Sequence, residues 1–593
     1  MKFSETDLLE QLKSLQARLE NVQVRFAHLK SHKLFRYPRR VFIGAVAGTL
    51  AFVLFGLAAF VFGNDFAKNH REAVVYLPTL KQHAPLPPVA PLTFAQTLSM
   101  TSLPSDESPL ADRCATQPSN WVTVENAKPS VGVSMDQFKN SKTPWPEGSA
   151  LWLDKTSVTC GDVVGIHASL VRRVDSSIDN SPRIVQAIRI GWYGGAGGRI
   201  VWQSSALHLK EFSTPAPKDE RRMIETRWPT TLKLIVGKDW TPGFYLIVTR
   251  TSSGQLESSA PLILRAPTGS ASLALIHSTL SWAAYNLFGG RSAYQGPGET
   301  KAQISYERSR VVSMDRPISG SGNELLFRDA VPLVELAEEA GIPLAQYSDV
   351  DLDQTPSLVT NFNGLVFSGH PEYWTERNHD TVIAARNVGI NLAFLGGNTA
   401  YWRVELESSP TGKDRHVIIW RNPLEDPAKS NADITTQYSS PLINEPTSLI
   451  DGSMTSGIGV YGSMSSTNLP GWLGVPNGSV LKNFSKYSEI ESHPSNNQSP
   501  PTVNTLFQGK FTFGGSPADE ETRYNENDIA QMDWFSVPSG SAIFNAGVNL
   551  WDCNLEPSCG MGTVDSVTQG LMQTITTNVL KKWSVKAAAP TLK

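Results

Sequence analysis

Hydrophobic residues near the N-terminus repeat with alternating spacings of four and three, from Leu8 to Leu29. This is the a/d seam of a coiled coil over about three heptads. An amphipathic helix lying on a membrane would also be apolar on one face, but its apolar stripe would be wider. We therefore predict a coiled coil over residues 1–40 that joins subunits into a homo-oligomer.

An uncharged apolar run, Val41 to Gly63, follows directly. Its length suits a single transmembrane helix over residues 41–63, with the lipid bilayer as partner. A cleaved signal peptide is the alternative, but its apolar core is typically shorter and is followed by a small-residue cleavage site. Lysines and arginines crowd the N-terminal side, so we predict a cytoplasmic N-terminus and residues 64–593 in the periplasm or outside the cell.

The pattern changes again after the predicted anchor. Prolines without periodicity indicate an extended linker over residues 64–120. Short β-branched and aromatic runs predict a β-sandwich domain over 121–268. Alternating strand and helix patterns over 269–593 predict an α/β domain with a parallel sheet. Within it, the Ser-, Asn-, Pro- and Gly-rich stretch at about 429–501 is expected to form long surface loops.

Composition narrows the classes of partner. Charged residues make up 18 % of the 593 residues and the net charge is −3, so there is no basic surface of the kind that binds nucleic acid. The four cysteines all follow the predicted anchor, which indicates two disulfides. Cys553 with Cys559 would close one loop, and Cys114 with Cys160 would tie the linker to a first strand. A zinc site is formally possible, but neither pair has the CxxC spacing that would support it.

A candidate site follows the apolar run 364–368. The hexapeptide Gly369 to Trp374 places His370 and Glu372 directly after this predicted strand. An open α/β sheet binds its ligands beyond the carboxyl ends of its strands, so the two side chains can converge on one ligand. The alternative is that they only cap the next helix.

Two further residues of this region are candidates for a role in the site. Asn398 follows Gly396-Gly397 at the end of the next predicted strand and can orient a substrate in the same crevice, although a turn role is the alternative. Ser368 is a possible nucleophile, but residues two apart in one loop rarely give the geometry that a serine and its histidine base need.

Several motifs together resemble the large (β) subunit of N,N-dimethylformamidase and its relatives, over about residues 150–585. The resemblance implies a β-sandwich joined to an α/β domain of the glutamine-amidotransferase (flavodoxin-like) type. For the enzyme it implies an amidohydrolase with one iron held by two tyrosines and a glutamate. The motifs are Arg189 to Gly195, Ser281 to Asn286, Ser348 to Asp353, Gly369 to Trp374, Leu395 to Asn398, Tyr401 to Arg403 and Asp533 to Phe535.

Carried over residue by residue, the resemblance implies iron ligands at Glu372, Tyr285 and Tyr245, the last by a short match. His370 would be the general base or a residue that orients a ligand, with Asn398 beside it. Phenolate and carboxylate oxygens are hard ligands that suit Fe(III), so one ferric ion per chain is expected.

Two functions remain open on these grounds. The first is a membrane-anchored, metal-dependent hydrolase of C–N bonds in an envelope or periplasmic compound. The second is a non-catalytic envelope scaffold or ligand-binding protein with partner proteins. The formamidase works with a small partner subunit and is not known as a membrane protein, so dimethylformamide itself is not the expected substrate.

Overall fold

The computed structural model describes residues 117, 120–130, 146–173, 175–217, 219–297, 306–428, 430–445, 450, 454–492, 503–513, 529–556 and 564–587. All of them belong to one unit, Pro85–Lys593. The predicted coiled coil, the predicted membrane helix and nearly all of the predicted linker lie outside the described residues. Their associated predictions of oligomerisation and location stay predictions.

The predicted fold class is wrong. The described chain is rich in strands, with twenty-one strands in four sheets and six α-helices. Within these ranges no helix combines the length and the apolar character that crossing a membrane requires. A fold built around a single membrane helix and a coiled coil therefore finds no support, and the α/β part is more sheet-like than the sequence indicates.

The strands in chain order are β1 Gly148–Leu153, β2 Ser157–Val158, β3 Val163–Val171, β4 Arg183–Ile190, β5 Gly198–Gln203, β6 Leu232–Ile235, β7 Gly243–Thr251, β8 Leu256–Leu264, β9 Leu273–His277, β10 Val311–Ser313, β11 Leu344–Ser348, β12 Gly364–Gly369, β13 Tyr373–Thr375, β14 Asn391–Gly396, β15 Trp402–Ser409, β16 Gly412–Ile418, β17 Met454–Ser466, β18 Val480–Ser492, β19 Asn504–Phe513, β20 Ile529–Ser536 and β21 Ala542–Asn545. The helices are α1 Trp121–Asn126, α2 Thr279–Tyr285, α3 Ser321–Glu339, α4 Asp349–Gln354, α5 Glu376–Asn387 and α6 Ser566–Trp583.

The first eight strands form two facing sheets. One has the order β2-β8-β7-β4-β5 and the other β1-β3-β6. Side chains alternate along β7, so Tyr245 and Ile247 enter the core between the two sheets. Phe244, Leu246 and Val248 point the other way and join the apolar core that includes α3. Both faces of β7 are therefore buried, and this joins the sandwich to the rest of the unit.

The central sheet has nine strands in the order β11-β9-β12-β14-β21-β20-β19-β17-β18. Its first five strands run parallel to one another, and the remaining neighbours pair antiparallel. Strand residues alternate between a face covered by α3 and α6 and a face covered by α5. Helix α3 ends before Gly341, whose φ of 68° is the left-handed conformation typical of a helix stop.

The stretch at about 429–501 is not a set of surface loops. It contains β17 and β18, two strands of 13 residues that form an antiparallel pair and extend the central sheet. Their serines, glycines and asparagines resemble a loop in composition, but pairing with β19 overrides that local preference. A fourth, smaller sheet with the order β10-β16-β15-β13 lies beside the site described next.

Candidate functional site

Three loops meet at one edge of the central sheet because β9, β12 and β14 are parallel neighbours. After β9 the chain enters α2, which ends at Tyr285. After β12 come His370 and Glu372, and after β14 comes Asn398. Carboxyl ends of adjacent parallel strands form the usual binding crevice of such sheets.

The turn after β12 depends on close backbone packing. Gly369 adopts φ = 65°, a conformation that costs a residue with a Cβ about 1 kcal/mol or more. In the next strand Gly396 lies opposite Gly369, so a Cβ at Gly396 would overlap the carbonyl group of Gly369. These two glycines let the loops after β12 and β14 approach each other.

Gly396→Ala should therefore destabilise the protein, by roughly 1–3 kcal/mol, because the overlap is with backbone that has little room to move. The matched control is Gly570→Ala in α6, where a Cβ meets nothing within 4 Å. That change should stabilise by about 0.5–1 kcal/mol through helix propensity. Urea unfolding measures both, and equal effects would contradict the close approach.

Glu372 and His370 are both buried, each about 2 % exposed. His370 Nε2 lies 3.7 Å from Glu372 Oε2 and 3.3 Å from the side-chain amide nitrogen of Asn398. The backbone N–H of Glu372 contacts the carbonyl of His370 at 2.8 Å and the Ser281 hydroxyl of α2 at 3.2 Å. The structure thus brings together the predicted His370, Glu372 and Asn398.

A chain of hydrogen bonds leads from Glu372 to a buried arginine. The Tyr294 hydroxyl donates to Glu372 Oε1 at 2.6 Å, and the Tyr373 hydroxyl donates to Tyr294 at 2.7 Å. Arg421 in turn donates to the Tyr373 hydroxyl through Nη2. The ring of Tyr285 lies 4.4 Å from that of Tyr294 and 5.6 Å from that of His370, measured between centroids.

The phenols of Tyr294 and Tyr373 carry their protons. Burial raises the pKa of Tyr294 well above its usual value, and the Glu372 carboxylate adds to the rise, whereas Arg421 lowers it. Burial likewise raises the pKa of Tyr373. Tyr285 and Tyr294 are mostly buried but keep a small exposed fraction, unlike the fully buried His370 and Glu372.

The structure does not bring Tyr245 to this cluster. Tyr245 is fully buried in the sandwich, where its hydroxyl donates to the Thr241 carbonyl at 2.5 Å and its ring stacks on Trp240. The phenol that contacts Glu372 is Tyr294. Sequence reasoning missed Tyr294, which lies in a loop without periodicity, and Arg421, which follows an antiparallel hairpin and not a strand of the parallel sheet.

A buried carboxylate fixes the Asn398 turn. Asn398 itself has φ = 58°, and the next residue, Thr399, donates its backbone N–H to Glu491 Oε1 at 3.0 Å. The Asn545 side chain donates to the other oxygen of Glu491 at 2.6 Å. Glu491 lies on β18, so a strand from the far edge of the sheet holds the turn that presents Asn398.

A second buried carboxylate supports α2, the helix that carries Tyr285. Asp349 accepts hydrogen bonds from the Thr279 hydroxyl and from the Leu280 N–H at 3.0 Å. Burial raises the pKa of Asp349 from its usual value to about 7, although these hydrogen bonds lower it.

This pKa predicts a pH effect on stability. Between pH 4 and 7 the folded state keeps a proton on Asp349 that the unfolded state loses, so the free energy of unfolding should fall as pH rises, by on the order of 4 kcal/mol. Asp349→Asn imitates the protonated side chain and should remove this contribution. The difference between wild type and variant in urea unfolding at pH 4.5, 6 and 7.5 isolates Asp349 from other groups. A difference that does not change with pH would contradict the prediction.

The two predicted disulfides stay predictions, because only two of the four cysteines are described. Cys160 and Cys553 are not free thiols. The other two cysteines, Cys114 and Cys559, lie outside the described residues, so the predicted pairs are not described.

Comparison with known protein families gives a match. The family model described as N,N-dimethylformamidase beta subunit-like, C-terminal, matches residues 184–563, which is more than half of the chain and includes all of the site residues above as well as Tyr245. A comparison with curated proteins finds no match. The chain belongs to the N,N-dimethylformamidase beta subunit-like family.

Proposed function

We propose that this protein hydrolyses the C–N bond of an amide, using Glu372, His370, Tyr285 and Tyr294. The observation that carries the proposal is the bridging position of Glu372. One of its oxygens accepts the Tyr294 hydroxyl at 2.6 Å, and the other lies 3.7 Å from His370 Nε2. Membership of the family supports hydrolysis as the type of reaction.

The donor set fits a ferric ion. Within the described ranges no group of three or more His, Cys, Asp and Glu side chains is placed to hold a metal, so a metal at this site has to use phenol oxygens. Tyr285, Tyr294 and Glu372 offer two phenols and one carboxylate, which are hard ligands of the kind that ferric iron prefers. Tyr294 would have to lose its proton, as ligands do when a metal binds.

One Fe(III) per chain, held by these three residues, is therefore part of the proposal, with Tyr294 in place of the Tyr245 that the family resemblance implied. When bound, such an ion supplies Lewis-acid polarisation of an amide carbonyl.

The protein's own residues supply the proton transfers and the orientation. In the tautomer of His370 with its proton on Nδ1, Nε2 accepts the amide N–H of Asn398 and carries the lone pair that can take a proton. His370 then accepts the proton of the attacking water and passes it to the leaving amine. Arg421 and Tyr373 orient the Tyr294 hydroxyl through their hydrogen bonds, and the contact with Ser281 holds the Glu372 backbone.

Iron analysis and an amide screen of the purified full chain test the proposal. We expect about one iron per chain, visible absorption from phenolate-to-iron charge transfer, and release of amine and acid from at least one amide. Folded protein that stays colourless after iron reconstitution and hydrolyses none of the amides would overturn it. A non-catalytic ligand-binding protein would then be the better account.

A further inference from the structure

Arg421 belongs to none of the sequence motifs, yet it contacts two of the tyrosines of the site. It follows β16, is about 5 % exposed, and adopts φ = 63°. A left-handed backbone is unfavourable for a residue with a side chain, so the surrounding structure has to hold Arg421 in this conformation. The guanidinium Cζ lies 3.7 Å from the ring centroid of Tyr294 and 4.7 Å from that of Trp402.

The charge of Arg421 is not paired with a carboxylate in the described part of the chain. Among the described residues, other buried arginines bind carboxylates or carbonyl groups. Arg189 and Arg415 bind Glu338 and Asp315 at 2.6 and 2.8 Å. Arg316 donates to four backbone carbonyls, those of Ser313, Phe288, Arg291 and Asn286.

Arg421 differs from both kinds. Its Nη2 donates to Tyr373, but its Nε and Nη1 are buried and have no hydrogen-bond partner. A guanidinium has five N–H donors, so most of the donors of Arg421 are unsatisfied. A buried donor without an acceptor is unfavourable, because it has lost its hydrogen bonds to water and gained none in the protein.

Burial lowers the pKa of Arg421, but Tyr294, Tyr373 and Glu372 raise it by a larger amount, so these groups stabilise the charge while Nε and Nη1 still have no acceptor. Glu372 is reached from Arg421 only through two tyrosine hydroxyls, and its oxygens already face Tyr294 and His370. An additional anion beside Arg421 would satisfy the remaining donors and neutralise the charge. Guanidinium groups bind carboxylates through several short, charge-assisted hydrogen bonds, which makes a carboxylate the ligand of matching chemistry.

We propose that Arg421 binds a carboxylate of the ligand through Nε and Nη1. The identity of that ligand rests on the proposed function. Hydrolysis of an amide releases a carboxylic acid, so the carboxylate belongs either to the acid product or to an amide substrate that carries a second, free carboxylate.

Calorimetric titration of the full chain with acetate, N-acetylglycine and neutral acetamide tests the site without requiring turnover. Acetate and N-acetylglycine should bind wild type, and Arg421→Gln should weaken both by about 10-fold or more, the effect of losing hydrogen bonds to a charged group. Arg421→Lys keeps the charge but not the fork of donors, and should also weaken binding. Arg377→Gln, an exposed arginine of α5, is the control and should bind as wild type does.

Comparing acetate with N-acetylglycine distinguishes the two possible sources of the carboxylate. Acetate that binds as tightly as N-acetylglycine identifies the acid product as the ligand. N-acetylglycine that binds at least about 10-fold more tightly than acetate identifies a carboxylate-bearing amide.

Absence of carboxylate binding to wild type would overturn the inference. Equal binding to wild type and to folded Arg421→Lys and Arg421→Gln would also overturn it, since another group would then hold the anion. A third result is that folded Arg421→Gln loses binding while wild type hydrolyses none of the amides. That result would support the carboxylate site and would contradict only the proposed amide hydrolysis.

Discussion

Glu372→Gln should remove iron and amide hydrolysis together, with turnover at least about 10²-fold lower. Glutamine has nearly the same size and its Oε1 can still accept the Tyr294 hydroxyl, so the fold should survive. It cannot supply the negative charge that a ferric ion needs from this position. Iron analysis, visible absorption and turnover of the same preparation measure the effect.

The control is Glu376→Gln, the same change four residues later. Glu376 is about half exposed and pairs with Arg403 at 3.1 Å, away from the hydrogen-bonded chain of the site. It should keep iron and activity. If Glu372→Gln retains both, Glu372 is not a ligand and the proposed iron site fails.

His370→Ala should have a different signature. Because His370 contacts Glu372 and Asn398 and is not assigned as a ligand, most of the iron should remain. Loss of a general base typically lowers turnover by roughly 10²–10⁴-fold, and kcat should fall more than KM changes. Steady-state kinetics with iron-loaded protein measures this.

His379→Ala is the matched control. His379 lies on α5 and is as buried as His370, but its ring stacks on Tyr438. That variant should lose stability and keep kcat. An iron-free His370→Ala protein would instead make His370 a metal ligand.

The parts of the site that the sequence predicts are those set by local order. His370, Glu372 and Asn398 directly follow buried strands, and adjacent parallel strands bring such positions together whatever the rest of the chain does. Tyr285 ends the helix that follows β9 and reaches the same edge. No comparable rule applies to Tyr294 or Arg421. Tyr294 lies in a loop without periodicity, and Arg421 follows an antiparallel hairpin of a separate small sheet.

Tyr245 shows what the alternation of side chains along a strand cannot predict. Side chains of β7 alternate between two apolar cores, and both faces are fully buried. Period-two patterning shows that Tyr245 and Phe244 face opposite ways, but it cannot show which way leads to the site. The strands β17 and β18 escape sequence reasoning because their composition is that of a loop, and only their pairing with each other and with β19 makes them strands.

The bond between Glu491 and the backbone of Thr399 has a practical consequence for anyone redesigning this protein. A designer who shortens loops on the basis of the sequence would remove the hairpin of β17 and β18, because none of the reacting groups lies on it. Deleting it would remove the clamp that aims Asn398 at His370. The shortened chain would also lose the buried side chains of Met464, Leu481 and Phe484 from its main core, so a deletion far from the site would disturb both the stability of the protein and the position of Asn398.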